Sequence, residues 1–305
     1  MSQPPPRVPW YYHLLAAPLL ALAHLPLGVL YGLARVVYWL LAYGVRYRQR
    51  VVLDNLRHAF PEKSEAEIRL IGRRFYWHFA QVLVEIIKLA AISPVELSRR
   101  LRFTNPGVLL RPLEERRLVL VLGSHLGNWE WILARAGALF PGWVAGVYKV
   151  LSNKFFEWFM RRLRTRLGPE AVPMQSTLRY LVQHRDTGHT VSLLLDQAAG
   201  PADRPYWTEF LHRDAGFYSS ADRLAPQFDA IVLYVGIRRE RRGYYAVTFA
   251  ELPGGPLPGL APTVSEALRH PATEAFVRHL EADIRATPEQ YLWTHRRWKH
   301  NRRFN

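Results

Sequence analysis

From Leu14 to Ala34 the chain is apolar and free of Asp, Glu, Lys and Arg, and it stays apolar to Tyr43 apart from Arg35. A spanning helix needs roughly 20 apolar residues, so the run is long enough to cross a membrane. Pro18, His24 and Pro26 interrupt it. A signal peptide fits poorly, because Arg7 is the only basic residue before the run and no small-x-small cleavage site follows. The run is expected to be a membrane anchor, as a spanning helix, a helical hairpin or a helix lying in the interface. A buried core helix of a soluble protein is the alternative. Arg46, Arg48 and Arg50 follow directly, and by the positive-inside rule they keep the rest of the chain in the cytoplasm. The expected division is an anchor over residues 1–45 and one globular domain over 46–305.

Beyond the anchor, the period of the apolar positions changes. Ile68, Ile71, Phe75, Phe79, Val82, Ile86 and Leu89 recur at helical spacing, and Ser64 with Glu67 forms a capping box at the start. Residues 51–101 are therefore predicted to be largely helical. Leu118–Leu122 reads as a fully buried strand, followed by a helix over Trp131–Phe140 and a strand over Trp143–Val147. Phe155–Leu167 is predicted as a helix with a basic face, closed by Gly168-Pro169. A helix over Thr177–His184, a strand over Thr190–Leu195 and a short helix over Ser219–Gln227 come next. Ile231–Ile237 and Tyr244–Phe249 alternate around a polar turn, which predicts a hairpin. A Gly/Pro loop over Leu252–Pro262 and a helix over Thr273–Ala286 complete the pattern. Strands alternating with helices indicate an α/β core. There is no internal repeat and no long linker.

Charge and composition sharpen this picture. The chain carries 41 Lys and Arg against 25 Asp and Glu, a net charge of +16, which calls for an anionic partner. Only Lys63, Lys88, Lys149, Lys154 and Lys299 are lysines. Arginine is the better fork for phosphate and carboxylate, although a GC-rich genome gives the same bias. A nucleic-acid binder rarely carries an apolar anchor, whereas an enzyme acting on anionic lipids needs both. The absence of Cys excludes disulfides, Cys-ligated metals and thiol nucleophiles.

The stretch Gly123–Trp131, GSHLGNWEW, concentrates the chemistry. A buried strand ends at Gly123, so Ser124 and His125 stand at its exit, where α/β folds place ligands. Gly127 permits a turn and Asn128 is a good helix N-cap. A turn between His125 and Glu130 would let the carboxylate fold back onto the imidazole, fixing its tautomer. Such a pair is a base without a protein nucleophile beside it, unless Ser124 serves, and suits deprotonation of a substrate hydroxyl. The competing reading is a strand-end histidine and a helix-start acid with no joint role. Asp196, at the end of another buried strand, is expected to face the same cleft, there to bind acceptor or hold an arginine. His184 and His189 have no ligand-spaced partners and HExxH is absent, so no metal site is expected. Phe155, Phe156, Trp158 and Phe159 suit a packed core or an acyl-chain groove.

His-x4-Glu after a hydrophobic strand resembles the H-x4-D/E motif of glycerolipid acyltransferases. The remaining features resemble the lipid A biosynthesis acyltransferases, the late lauroyl/myristoyl-type enzymes of bacteria. In order these are the apolar anchor; Asn55, Leu56, Phe60, Pro61 and Glu62; HLGNWE; Tyr148-Lys149; Arg164 on a basic helix; Asp196-Gln197 at a strand end; Arg238 after another strand; and PEQYLWTHRRWK over 288–299. The resemblance spans about residues 10 to 300, and HLGNWE alone is less specific than the ordered set. Val150 departs from the proline that many members carry there. The stretch DQAAGPADRPYWTEF lacks the close Asp-His-Asp cluster of some members, so acceptor or chain preference is open.

The resemblance implies a glycerolipid-acyltransferase-like α/β fold, a mixed sheet flanked by helices, with the N-terminal apolar anchor helix. It implies a membrane-associated O-acyltransferase with His125 and Glu130 catalytic. Arg164, Asp196, Gln197, Arg238, Tyr148 and Lys149 would bind substrate or the oxyanion. No bound cofactor is expected: the donor is acyl carrier protein or CoA carrying the acyl thioester. The acceptor is a hydroxyl of an anionic lipid A precursor or related glycolipid, at the cytoplasmic side of the inner membrane. Arg296, Arg297, Lys299, Arg302 and Arg303, with Trp293 and Trp298, are expected to form a basic-aromatic tail for headgroups. A phosphatidylinositol-mannoside or lysophospholipid acyltransferase, and a non-catalytic basic membrane-binding protein on the same fold, are the alternatives.

Overall fold

A computed structural model of the protein describes residues 8–255 and 265–300. Pro26 divides the N-terminal apolar run. Helix α1 (Trp10–His24) ends before it and α2 (Leu27–Trp39) begins after it, continuing through a π-helical turn at Leu40–Gly44. Proline has no N–H to donate into a helix interior, so it is placed where the first turn needs none. Leu27–Gly44, 18 residues with 28% of them buried, is the one helical segment among the described residues long and apolar enough to cross a membrane. Trp10, Leu14, Leu15, Val29, Val36, Trp39 and Leu40 are exposed along this pair of helices. The opposite face, with Ala16, Leu30 and Ala34, joins the core that also holds Val119 and Leu233.

Three further helices follow: α3 (Gln49–Ala59), α4 (Glu65–Lys88) and α5 (Pro94–Arg100). The Ser64–Glu67 capping box forms, with the Ser64 N–H donating to Glu67 Oε2 at 2.8 Å. Helix α4 is the post against which the N-terminal pair docks. Lys88 Nζ donates to the carbonyls of Ala23 and Leu25 at 3.0 and 2.9 Å. Those carbonyls have no intrahelical partner, because they close α1.

The core comprises β1 (Leu101–Phe103), α6 (Gly107–Glu114), β2 (Val119–Gly123), α7 (Trp129–Leu139), β3 (Val144–Tyr148), α8 (Lys154–Thr165), β4 (Glu170–Pro173), α9 (Thr177–His184) and β5 (Thr190–Leu194). There follow β6 (Tyr206–Phe210), β7 (Arg213–Phe217), α10 (Ser220–Phe228), β8 (Ile231–Arg241), β9 (Tyr244–Leu252), α11 (Glu266–Arg269) and α12 (Pro271–Ala286). Seven strands form one mixed sheet in the order β1-β9-β8-β2-β5-β3-β4. Within this sheet, among the described residues, only the β8–β9 pair is antiparallel and the other pairs run parallel. This is the α/β mixed sheet flanked by helices that the sequence predicts. All five residues of β2 are buried, as a central parallel strand covered on both faces requires.

Four elements and one hairpin escape the sequence pattern. β1, β4 and α11 are too short to show a period, α6 carries Pro112 in its interior, and β6–β7 is a separate antiparallel ribbon within the stretch around DRPYWTEF. Most of the expected Gly/Pro loop over Leu252–Pro262 lies outside the described residues.

Candidate active site

β2 and β5 lie side by side, with Gly123 opposite Leu194. The Leu195 N–H extends the ladder to the Gly123 carbonyl at 3.1 Å. The residues that follow, Ser124-His125 and Asp196-Gln197, therefore leave the sheet together at its carboxyl edge. Asp196 holds His125 twice: Oδ1 lies 2.8 Å from ring Nδ1, and Oδ2 accepts the His125 backbone N–H at 3.1 Å. The Asp196 side chain is buried, whereas His125 retains 16% exposure towards the cleft. Burial opposes the charge on Asp196, but the imidazole and its hydrogen bonds outweigh it and hold the carboxyl below its usual range. A carboxylate only accepts, so Nδ1 carries the proton and Nε2 is left with its lone pair. Gln197 Nε2 lies 3.4 Å from that nitrogen.

The expected partner of the imidazole was Glu130, and here the structure differs. Glu130 stands in the first turn of α7, where Asn128 caps the helix by accepting the Trp131 N–H at 3.1 Å. From there it turns to α8. Arg164 grips it with both nitrogens, Nη2 to Oε1 at 2.6 Å and Nε to Oε2 at 2.9 Å. Burial works against the Arg164 charge, and the Glu130 carboxylate more than restores it, raising the guanidinium pKa. A fork-to-fork pair of this kind is strong and directional. The Arg164 charge is thus committed to Glu130 rather than free for a phosphate.

Both pairs open onto a cleft of about 1700 Å³. Its walls are largely apolar, with Leu133, Val147, Leu178, Leu195, Val235 and Ile237 among them, and Ser124, Tyr148, Lys149 and Gln197 add polar groups. The Tyr148 hydroxyl donates to Glu157 at 2.7 Å, and its ring lies under Arg164 at 5.4 Å. Gly127 shapes the turn between the two pairs. Its φ is +58°, and a Cβ there would stand 3.0 Å from Ile237.

A sequence model of the bacterial lipid A biosynthesis acyltransferases matches residues 3–300. The chain belongs to that family. It is 25% identical over 278 residues to the lipid A biosynthesis lauroyltransferase of Escherichia coli strain K12, covering 90% of this chain and 87% of the relative. It is 25% identical over 259 residues to the palmitoleoyltransferase of the same organism, covering 84% and 80%. A lipid A biosynthesis acyltransferase of Shigella flexneri aligns equally well.

In this acyltransferase Arg238 does not reach the cleft. Strand side chains alternate between faces, so Ile237 lines the cleft while Arg238 is 74% exposed beside Glu240. Arg239, one residue on, turns inward to His78 and Gln81 of α4. The C-terminal stretch also departs from expectation. Trp293, Arg297 and Trp298 are buried, not displayed as a tail. Asn55 donates to the carbonyls of Trp293 and His295 at 2.8 and 2.9 Å, tying the α3 motif to the C-terminal motif. Arg297 lies 3.9 Å over the Phe217 ring, and burial pushes its guanidinium down to about 10. Arg302 and Arg303 lie outside the described residues, as does Arg7.

Two residues that sequence reasoning missed brace the site. The C-terminal stretch runs along the HLGN turn, the Leu292 N–H donating to the His125 carbonyl at 3.1 Å. His295 Nε2 then accepts the Ala198 N–H at 3.1 Å, and burial pushes that ring down to about 4. Behind the turn, Glu85 accepts from Asn128 at 2.8 Å, from Tyr245 at 2.7 Å and from Tyr31 of α2 at 2.8 Å. A carboxylate on the apolar stripe of α4 was the visible signal for Glu85. His295 carried no comparable signal. The aromatic group on α8 is split. Phe159 is buried, Phe156 is half exposed, and Phe155 and Trp158 receive Tyr12 of α1.

Proposed function

We propose that this enzyme moves a fatty acyl chain from an acyl thioester, borne by acyl carrier protein or CoA, to a hydroxyl of a lipid A precursor. The observation that carries the reading is the His125–Asp196 clamp at the mouth of the cleft. His125 Nε2 takes the hydroxyl proton while the acceptor oxygen bonds to the thioester carbonyl carbon. Asp196 stabilises the imidazolium that forms. The tetrahedral intermediate collapses, the carbon–sulfur bond breaks, and the departing thiolate takes the proton back from His125. The products are an ester and a free thiol, and no acyl-enzyme is needed. The Gln197 amide, 3.4 Å from His125 Nε2, donates to the oxyanion. Glu130 and Arg164 form a rigid, nearly neutral wall beside the reacting atoms.

The size and lining of the cleft support a lipid pair as substrates, since ordinary ligand pockets run to about 300–1,000 Å³. The exposed apolar residues of α1 and α2, followed by the basic stretch at Arg46–Arg50, support placement at the cytoplasmic face of the inner membrane. Carrier proteins are acidic, so the net charge of +16 favours their docking. The test is purified enzyme with acyl carrier protein or CoA thioesters and a panel of acceptors, read by mass spectrometry. An acyl ester on a lipid A precursor is expected. Transfer only to lysophospholipid or phosphatidylinositol mannoside would move the enzyme to that acceptor class, and no transfer to any acceptor would make it a binding protein.

A further inference from the structure

At the edge of the sheet remote from His125, three side chains far apart in sequence converge. Glu170 opens β4, His184 closes α9 and His189 directly precedes β5. One ligand atom from each lies within 4.8 Å of those of the other two. The two imidazole rings lie with centroids 4.1 Å apart, tilted by 45° to one another.

The hydrogen bonds around them fix the tautomer of His184. His184 Nδ1 lies 2.9 Å from the Tyr180 carbonyl, which only accepts, so that nitrogen carries the proton. His189 Nδ1 lies 2.7 Å from Thr187 Oγ1. The Thr187 hydroxyl spends its own proton on the His184 carbonyl at 2.9 Å, so it faces His189 as an acceptor. His184 is therefore left with its lone pair on Nε2, while His189 has two acceptors, Thr187 Oγ1 and the Gly142 carbonyl, around a single ring proton. Metal-bound histidines are held as His184 is, the second nitrogen donating to a carbonyl or other acceptor. Tyr180 donates to one Glu170 oxygen at 3.1 Å and leaves the other available.

We propose that Glu170, His184 and His189 bind a divalent transition-metal cation of the zinc type. Two imidazoles and a carboxylate suit such an ion, whereas magnesium and calcium prefer oxygen alone. Bonds of about 2.0–2.1 Å around a tetrahedral ion place ligand atoms about 3.4 Å apart. Glu170 is the exposed member, held by Tyr180 through one oxygen, so the approach of its other oxygen would close the site. The ion would staple β4, α9 and β5 at one margin of the sheet. It takes no part in acyl transfer, because β5 separates it from Asp196 by about 16 Å at roughly 3.3 Å per residue.

The test uses the full-length, tag-free protein in detergent, stripped with chelator and titrated with cobalt(II), zinc and magnesium. One equivalent of cobalt should give a tetrahedral-type visible spectrum that zinc displaces. Zinc should raise the melting temperature and magnesium should not. His184→Ala and His189→Ala should each weaken zinc binding by at least about tenfold, the lower bound for losing even an outer-shell partner. Glu170→Gln should weaken it less, with acyl transfer unchanged. If His189→Ala fails to fold, the less buried His184 and Glu170 variants decide. No stoichiometric zinc binding in the wild type, or undiminished binding in His184→Ala, overturns the proposal.

Discussion

Replacing Asp196 by Asn separates the two carboxylates that could serve His125. The side chain keeps its shape, and Oδ1 can still accept the His125 backbone N–H. Its amide, however, presents a donor to ring Nδ1. The ring then turns its lone pair to Nδ1 and its proton to Nε2, the wrong tautomer for a base. The charge opposite the imidazolium is lost as well. A unit pair about 4 Å apart at an effective dielectric near 20 interacts by about 4 kcal/mol. At about 1.4 kcal/mol per power of ten, that is close to 10³-fold in rate. Asp196→Asn should therefore lower kcat by about 10²–10⁴-fold with little change in acceptor KM. His125→Ala should be at least as severe, and the double variant no worse than His125→Ala, because the two act as one unit. Glu130→Gln, still able to accept from Arg164, should lose less rate. The assay is steady-state transfer on detergent-dispersed acceptor, with circular dichroism to confirm folding. A folded Asp196→Asn enzyme within about threefold of wild type, beside a crippled Glu130→Gln, would refute the assignment and return the orienting role to Glu130.

Arg164→Ala leaves a buried carboxylate unpaired and should cost about 3–5 kcal/mol in unfolding free energy, whereas Glu130→Leu with Arg164→Met should recover much of it; equal losses in denaturant titrations would dispose of the buried pair. Gly127→Ala should destabilise by about 1–3 kcal/mol from backbone strain, partly relieved by Ile237→Ala, and an unchanged melting midpoint would show that the turn tolerates a side chain. The His295 pKa falls from 6.5 to about 4 on folding, and burial drives that of His78 to about 3. The unfolded chain therefore binds more protons below pH 6.5, so stability should be greatest above 6.5 and fall as pH drops towards 4. Thermal melts of His295→Gln should show a shallower fall, and an identical slope would clear His295. Deleting residues 1–45 removes Tyr31 from Glu85 and two carbonyls from Lys88, so it should lower the melting temperature as well as release the protein from vesicles; unchanged stability would mean that the helices rest on α4 without bracing it.

Much of the chain is legible locally. The buried run at 118–122, the alternation on either side of the polar turn before Tyr244, and the Ser64–Glu67 box each depend on dihedral preferences and periods that a short segment carries within itself. The HLGN turn is of the same kind, since a glycine at positive φ and an asparagine cap are local requirements. The break in the N-terminal apolar run is less local, because α1 carries Pro18 in its interior and the run divides only at Pro26.

The partner of His125 was not legible, since strand order decides it. Only because β5 inserts beside β2 does Asp196, 71 residues away, arrive at the imidazole before the nearer Glu130. Glu130 follows the axis of α7 towards α8 and meets Arg164. The facing of Arg238 depends on the register of a strand whose end no local signal marked. The burial of Arg297 and Trp298 depends on the β6–β7 ribbon that covers them, and the meeting of Glu170, His184 and His189 on β4 lying next to β3. Each of these is a long-range neighbour. Periods and caps are encoded within about a turn or a strand of chain, whereas neighbours are chosen by the packing of whole elements, and the residues brought together there carry no mark of one another.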